Sequence, residues 1–189
     1  MSTINLFHTG FQIIKIPDIT AGRKNADFGQ GFYLSDNEEF SKRWARVRKG
    51  FDTFINYYEL NTDGLSIKRL SKNEEWFDYI SANRNGGSDA FSRYDVITGP
   101  IANDTIYDMF GIITSGLLKK EIALSLLSAG PEYSQTVIKS EKAVSSLHFS
   151  KAEKISESEI ALYRQAVREE ERLFQEQVLS LSEYMSELL

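Results

Sequence analysis

From Ile155 to Leu189 the chain contains neither glycine nor proline; its 12 glycines and three prolines all fall at or before Pro131. Those two residues break or kink helices, so the last segment reads as one long helix, and everything before it as short elements separated by turns. Within the segment, Phe174, Val178, Leu181, Met185 and Leu188 recur at intervals of four and three, the spacing of a heptad seam. Ile160, Tyr163 and Val167 extend it upstream, and Glu171 interrupts it. A narrow apolar seam with Glu-rich flanks suits two roles equally: packing on the helix's own domain, or self-association and partner binding. The chain thus divides into residues 1–150, a folded domain, and 151–189, a helical extension.

The first part alternates apolar runs with breakers. Ile4–Phe7 reads as a strand ending at His8, and Gln12–Ile16 as a second extended piece closed by Pro17. The polar, glycine-punctuated stretch 18–31 reads as a loop, and "GFYL" after it as a brief strand. "SDNEEFSKRWARVRKG" predicts a helix capped by Ser35 or Asp36, with acids first and bases later, and with Phe40, Trp44 and Val47 as its buried stripe. Strands are expected in Phe51–Leu60, "LSIKRL", "YDVITGP" and "SQTVIKS"; in the last, Thr136 and Ile138 share one face and Val137 takes the other. "NEEWFDYISANR" predicts a helix burying Trp76, Ile80 and Ala82, and two more helices are expected between Asn103 and Gly130. A short helical turn and an extended piece in "EKAVSSLHFS" complete the domain, with His148 structural. Helices and strands mix without strict alternation, which points to an α+β fold.

Composition excludes several functions. There is no cysteine, so disulfides, thiolate nucleophiles and zinc–thiolate sites are out. With only two histidines a His-rich metal site is not expected. A net charge of −5 disfavours a general nucleic-acid binder. Yet "KRWARVRKG" carries five basic residues, Lys42, Arg43, Arg46, Arg48 and Lys49, which are either a solvated helix face or a local anion-binding patch. No apolar run reaches the roughly 18 residues of a membrane span, and the N-terminus lacks a signal-like pattern, so no membrane association and a cytoplasmic location are expected.

"LFHTG" followed by "FGQGFYLS" resembles the first two signatures of the His–Tyr–Glu branch of ADP-ribosyltransferases, which includes the diphtheria-toxin-like and poly(ADP-ribose) polymerase enzymes. From about Leu6 to Phe149 the chain is also similar to a bacterial family with five ordered blocks, met here by His8, "GRKNADFGQGFYLS", "NEEWFDYISANR", "YDVITGPIAND" and "SQTVIKSEKA". The resemblance implies a split antiparallel β-sheet core of ADP-ribosyltransferase type, with flanking helices and a long C-terminal helix.

The resemblance also implies roles. NAD is the substrate, and no metal is required. His8 hydrogen-bonds ribose hydroxyls, Thr9 grips the carboxamide through its backbone, and Tyr33 stacks on the nicotinamide ring. Arg23 and Asn25, in the same block, fall to the cofactor, Arg23 suiting its pyrophosphate. Gly29 and Gly31 let backbone approach closely. The third signature position carries Gln135 where the enzymes carry Glu, a loss of negative charge worth about 2.7–4 kcal/mol of barrier if it compares with one oxyanion-hole donor. Glu141 and Asp104 are the nearest acids to compensate. "HTG" also departs from the usual "HGS" or "HGT".

The implied function is mono-ADP-ribosyl transfer to a protein or nucleic acid, in a bacterial toxin or phage-defence effector with an antidote protein as partner. Two alternatives stand beside it. One is an NAD- or nucleotide-binding module that has lost its chemistry, motivated by Gln135; the other is an interaction protein working through its C-terminal helix.

Overall fold

The computed structural model describes residues 2–102 and 133–186, with side chains of the last helix described through 173 and at 176. The expected helices between Asn103 and Gly130, the Asp104 site and the seam from Phe174 to Leu188 lie outside the described residues or side chains.

The fold is α+β. Strands β1 (Thr3–Gly10), β3 (Thr53–Asn61) and β7 (Leu147–Ile155) form one sheet with β3 central, antiparallel throughout. Strands β2 (Phe32–Leu34), β6 (Ser134–Ile138), β5 (Val96–Pro100) and β4 (Ile67–Arg69) form the other, in that order. Its pairs are antiparallel except β4–β5, which run parallel at the β4 edge. The sheets meet where Phe7 and Ser35 exchange backbone hydrogen bonds, Phe7 N–H to Ser35 O at 2.8 Å and Ser35 N–H to Phe7 O at 2.9 Å.

Period-two alternation distributes the core. Leu6, Phe32, Leu34, Tyr58, Val96 and Ile138 fill the space between the sheets. Ile97 and Val137 point to the opposite side, where Trp76, Tyr79 and Ile80 of α2 (Glu74–Arg84) cover them. The predicted division of Val137 from Ile138 is therefore observed. In α2 the buried position near the end is Asn83, while Ala82 is exposed, because Asn83 Nδ2 donates to Asp27 O at 2.9 Å and so carries the helix onto the glycine loop.

Two local expectations are overturned. Helix α1 spans only Glu38–Lys42, capped by Asn37, whose Oδ1 accepts from Phe40 N–H at 2.9 Å. After Arg43 the chain turns, held by Thr53 Oγ1 donating to Arg46 O at 2.6 Å, so Phe40 is buried while Trp44 and Val47 stand exposed. Gln12–Ile16 is not a strand. It is pinned by side chains of β3: Asn56 Oδ1 accepts from Ile14 N–H, Asn56 Nδ2 donates to Gln12 O, and the Tyr58 hydroxyl donates to Ile14 O.

Strand β7 runs past the expected boundary at 150 to Ile155, and the last helix, α4, spans Glu157–Ser186. Ser156 makes the transition: its Oγ accepts from Glu159 N–H while Glu159 Oε2 accepts from Ser156 N–H, a reciprocal capping box. Ile160 is buried with Ala45, Ile55 and Ile155, with Tyr163 packed against them, so the first turns of α4 dock on their own domain. A five-residue helix, α3 (Glu141–Ser145), precedes β7. His148, read as structural, is exposed on β7 opposite Glu59. No helix among the described residues is long and apolar enough to cross a membrane.

Asn56 is fully buried and bonds three backbone groups, of Ile14, Gln12 and His8. Asn56→Ala leaves all three unmet and is expected to cost about 2–3 kcal/mol in urea unfolding, whereas Ile16→Ser, at an exposed site on the same segment, should stay within about 0.5 kcal/mol of the parent.

Candidate functional site

The site begins with the glycine loop. Gly29 adopts φ +70°, open to glycine at little cost. A Cβ at Gly31 would lie 2.6 Å from Ile138 O, so the loop can lie flat on β6 only with glycine there. Gly31 thus allows close approach of the loop to β6, and a Cβ at Gly29 would lie 2.7 Å from the Asp89 carboxylate. Lys139 holds the loop from below: its Nζ donates to Phe28 O at 2.7 Å and Gln30 O at 2.6 Å and pairs with Asp89 at 2.7 Å. Tyr33 holds it from within, its hydroxyl donating to Gly29 O at 2.7 Å and accepting from Phe28 N–H at 2.9 Å. Burial pushes the Tyr33 phenol up, so it stays protonated at neutral pH.

Next to this loop, at the junction of the two sheets, lies a cavity of about 620 Å³. His8, Thr9, Arg23, Tyr33 and Gln135 all line it. The His8 ring packs 4.7 Å from the Phe32 ring, and its Nδ1 lies 2.8 Å from Tyr33 O. A carbonyl only accepts, so Nδ1 carries the proton and Nε2 keeps its lone pair. Burial lowers the proton affinity of this imidazole, which is therefore neutral at pH 7. Thr9 Oγ1 lies 3.1 Å from Ser41 Oγ.

Asn25 and Gly31 do not line the cavity. Asn25 is exposed on the loop, and Gly31 faces β6. Glu141 is corrected as well: it is an exposed acid in the first turn of α3, whose cap is Ser140, and it does not reach the cavity.

The acids that do reach it are Asp27, Glu170 and Glu171. Asp27 Oδ2 accepts from Gln135 Nε2 at 3.5 Å, and its Oδ1 is gripped by Arg84 through Nε at 2.7 Å and Nη2 at 2.6 Å. A carboxylate thus stands beside the amide that replaces the expected glutamate. Glu170 comes from α4: its Oε2 pairs with Arg43 Nη2 at 2.5 Å, while Arg43 Nη1 donates to the Tyr133 hydroxyl at 2.5 Å. The Tyr133 ring stacks on Phe40, with centroids 4.2 Å apart. Arg164, Val167, Glu170 and Glu171 form the α4 wall; their spacing of three, three and one places them on one helix face. Glu171, which interrupts the apolar spacing in the sequence, marks where that face leaves the core and crosses the cavity. Among the described residues no group of three or more His, Cys, Asp or Glu could hold a metal ion.

The fold and site define an α+β protein with a cavity at the seam between two sheets, lined by rings and aliphatic groups as well as by His8, Arg23, Asp27 and Gln135. The family described as protein of unknown function (DUF3990) matches residues 4–149, so the chain belongs to that family. No curated protein and no solved structure matches it.

Since burial depresses the His8 value below the 6.5 of a free imidazole, folding favours the neutral ring. Above pH 6.5 the group contributes nothing to pH dependence; as pH falls through that value the unfolded chain gains a proton that the native state refuses, and stability is lost. His8→Gln should therefore show a smaller drop in Tm between about pH 7.5 and about pH 5.5 than the parent. Equal drops would show that His8 is not buried as a neutral ring.

Proposed function

We propose that the cavity binds NAD and that the chain transfers ADP-ribose to an acceptor, as an ADP-ribosyltransferase-like enzyme. The observation that carries this reading is the convergence of His8 on β1, Tyr33 on β2 and Gln135 on β6 on one cavity. The resemblance assigns NAD-binding roles to His8 and Tyr33 and the catalytic third position to Gln135. The volume suits a small-molecule site, for which about 300–1,000 Å³ is usual.

In this reading the bond between nicotinamide and the ribose C1′ breaks. Its electron pair leaves with neutral nicotinamide, and the positive charge spreads over the ribose ring oxygen and C1′. An acceptor nucleophile then bonds to C1′ and gives up its proton. The His8 Nε2 lone pair accepts from a ribose hydroxyl, Thr9 meets the carboxamide through its backbone, and the Tyr33 ring offers a stacking face. Arg23, exposed at the rim, suits the pyrophosphate. Gln135 has no charge, but Asp27, 3.5 Å from its amide, supplies one next to the developing cation. The toxin or defence-effector role, with an antidote protein as partner, belongs to the same proposal.

A second reading rests on the same pair. Arg84 holds the Asp27 carboxylate at two points, which diminishes the field it offers. An NAD-binding module without turnover would follow if that field is too weak.

Calorimetry with NAD and chromatography of released nicotinamide separate the two. The parent should bind and release. His8→Ala should weaken binding about ten-fold or more, the loss of one buried hydrogen bond to substrate. Asp27→Asn should leave binding within about three-fold and lower release about 100-fold. Binding without release, restored by Gln135→Glu, would favour the second reading; absence of binding would end both.

A further inference from the structure

We infer that the acceptor is a single-stranded nucleic acid, docked on the segment Lys42–Lys49 at the mouth of the cavity; the assignment rests on the ADP-ribosyl transfer proposed above. The segment is the basic run that the sequence leaves open between a solvated helix face and an anion site. It is not a helix face, because α1 ends at Lys42 and the chain turns outward. That turn leaves Trp44 (59 %), Val47 (60 %) and Phe51 (52 %) exposed, with the Trp44 ring edge-on to the buried Phe40 ring at 6.2 Å. Trp44 is at once half-open to solvent and part of the cavity lining.

Among the described residues, Arg23, Arg46, Arg48, Lys49 and Arg164 make no ion pair, whereas Lys42 is held by Glu38 and Arg43 by Glu170. Arg46 Nη1 donates to Arg43 O at 3.0 Å and to Ala45 O at 2.9 Å, contacts that fix the group and leave its charge uncompensated. Arg46 and Arg164 line the same cavity as Trp44. Arg48 lies over the Phe51 ring at 4.3 Å and within 5.7 Å of the Phe11 ring, which keeps its guanidinium on the surface beside two aromatic faces. Glu171 is the nearby acid on the α4 wall.

Unpaired cations interleaved with exposed rings suit one polymer above others. A single strand offers phosphates to the guanidiniums and a π-face to each ring, without demanding a particular sequence. It can also enter a cavity mouth, so a base stacked on Trp44 would bring its sugar or base nucleophile next to the ribose held at His8. A flat bilayer would meet the charges but could not reach the cavity, and an acidic protein would have no use for the row of rings.

Anisotropy of a fluorescein-labelled single strand of about 20 nucleotides, as DNA and as RNA, tests this with the full chain and no NAD. If Arg46, Arg48, Lys49 and Arg164 each neutralise one phosphate, affinity should fall about 50-fold between about 50 and 200 mM salt. Trp44→Ala should weaken binding about ten-fold or more. Arg48→Gln with Lys49→Gln should halve the salt slope while leaving nicotinamide release unchanged, since neither residue lines the cavity. The stronger of the two strands names the acceptor as DNA or RNA. No binding to either, binding that ignores salt, or binding only to phosphatidylserine vesicles would overturn the inference. So would label transferred from NAD in an untreated lysate that protease afterwards removes and nuclease does not. Strand binding that persists when NAD fails to bind would sink the transfer reading and leave the strand-docking surface standing.

Discussion

Among the described residues the two sheets share no continuous ladder, and the backbone contact between them is an isolated bridge. Phe7 and Ser35 trade two backbone hydrogen bonds, and one residue further along β1 the His8 imidazole donates to Tyr33 O. That last bond does two things at once. It satisfies a carbonyl in the middle of a three-residue strand, and it fixes the tautomer that leaves Nε2 an acceptor. Leu6 and Phe32, one step either side, are buried between the sheets, so the apolar contact sets the approach and the polar contact sets the register. Phe7, Ser35, His8 and Tyr33, the residues of this junction, all line the cavity.

The neighbouring glycine loop is held by polar groups that have each found a partner. The Lys139 ammonium has three donors and three acceptors, Phe28 O, Gln30 O and Asp89. Tyr79 donates to Asp89 at 2.7 Å, and Asn83 and Arg84 reach Asp27 from the end of α2. A buried ammonium costs much unless it is fully bonded, so this network is all-or-none: loss of Asp89 would leave Lys139 charged and under-bonded. Asp27 is thereby placed by two elements distant in sequence, α2 and β6, which gives it a fixed position without any contribution from its own loop's rigidity.

Much of this was legible before the structure, and the failures have definite causes. Strands β1, β3, β5 and β6 and helix α2 announce themselves through alternation or caps, because a half-buried strand must alternate and a helix must start somewhere. His8, Tyr33 and Gln135 were readable as a group through the resemblance. The helix over 35–50 failed because i, i+4, i+7 spacing records only that a helix could bury Phe40, Trp44 and Val47; the turn at Arg43 is set by Thr53 and by Tyr133 stacking on Phe40, 93 residues away by count from 40 to 133. Glu141 failed because nearness in sequence to Gln135 is not nearness in space: β6 ends between them and α3 turns away. Asp27 was missed although it sits inside the "NADFGQG" block, since a loop aspartate gives no periodic signal; only α2 and β6 together reveal it.

Helix α4 carries the remaining step. The family match ends at residue 149 and the helix begins at Glu157, yet Arg164, Val167, Glu170 and Glu171 wall the cavity. The His8, Tyr33, Asp27 and Gln135 set lies wholly within the family region, and the wall lies wholly outside it. The residues assigned to a bound molecule are therefore encoded by one part of the chain, and one wall of the cavity by another. The join between them is electrostatic as well as apolar: Ile160 anchors the helix, and Glu170 binds an Arg43 guanidinium that is itself stacked on the Tyr133 ring at 4.9 Å. Among the described residues no side chain of that helix hydrogen-bonds to Phe7, Ser35, His8 or Tyr33, so substitutions at Arg164 or Glu171 alter this wall and leave the hydrogen bonds of the bridge in place.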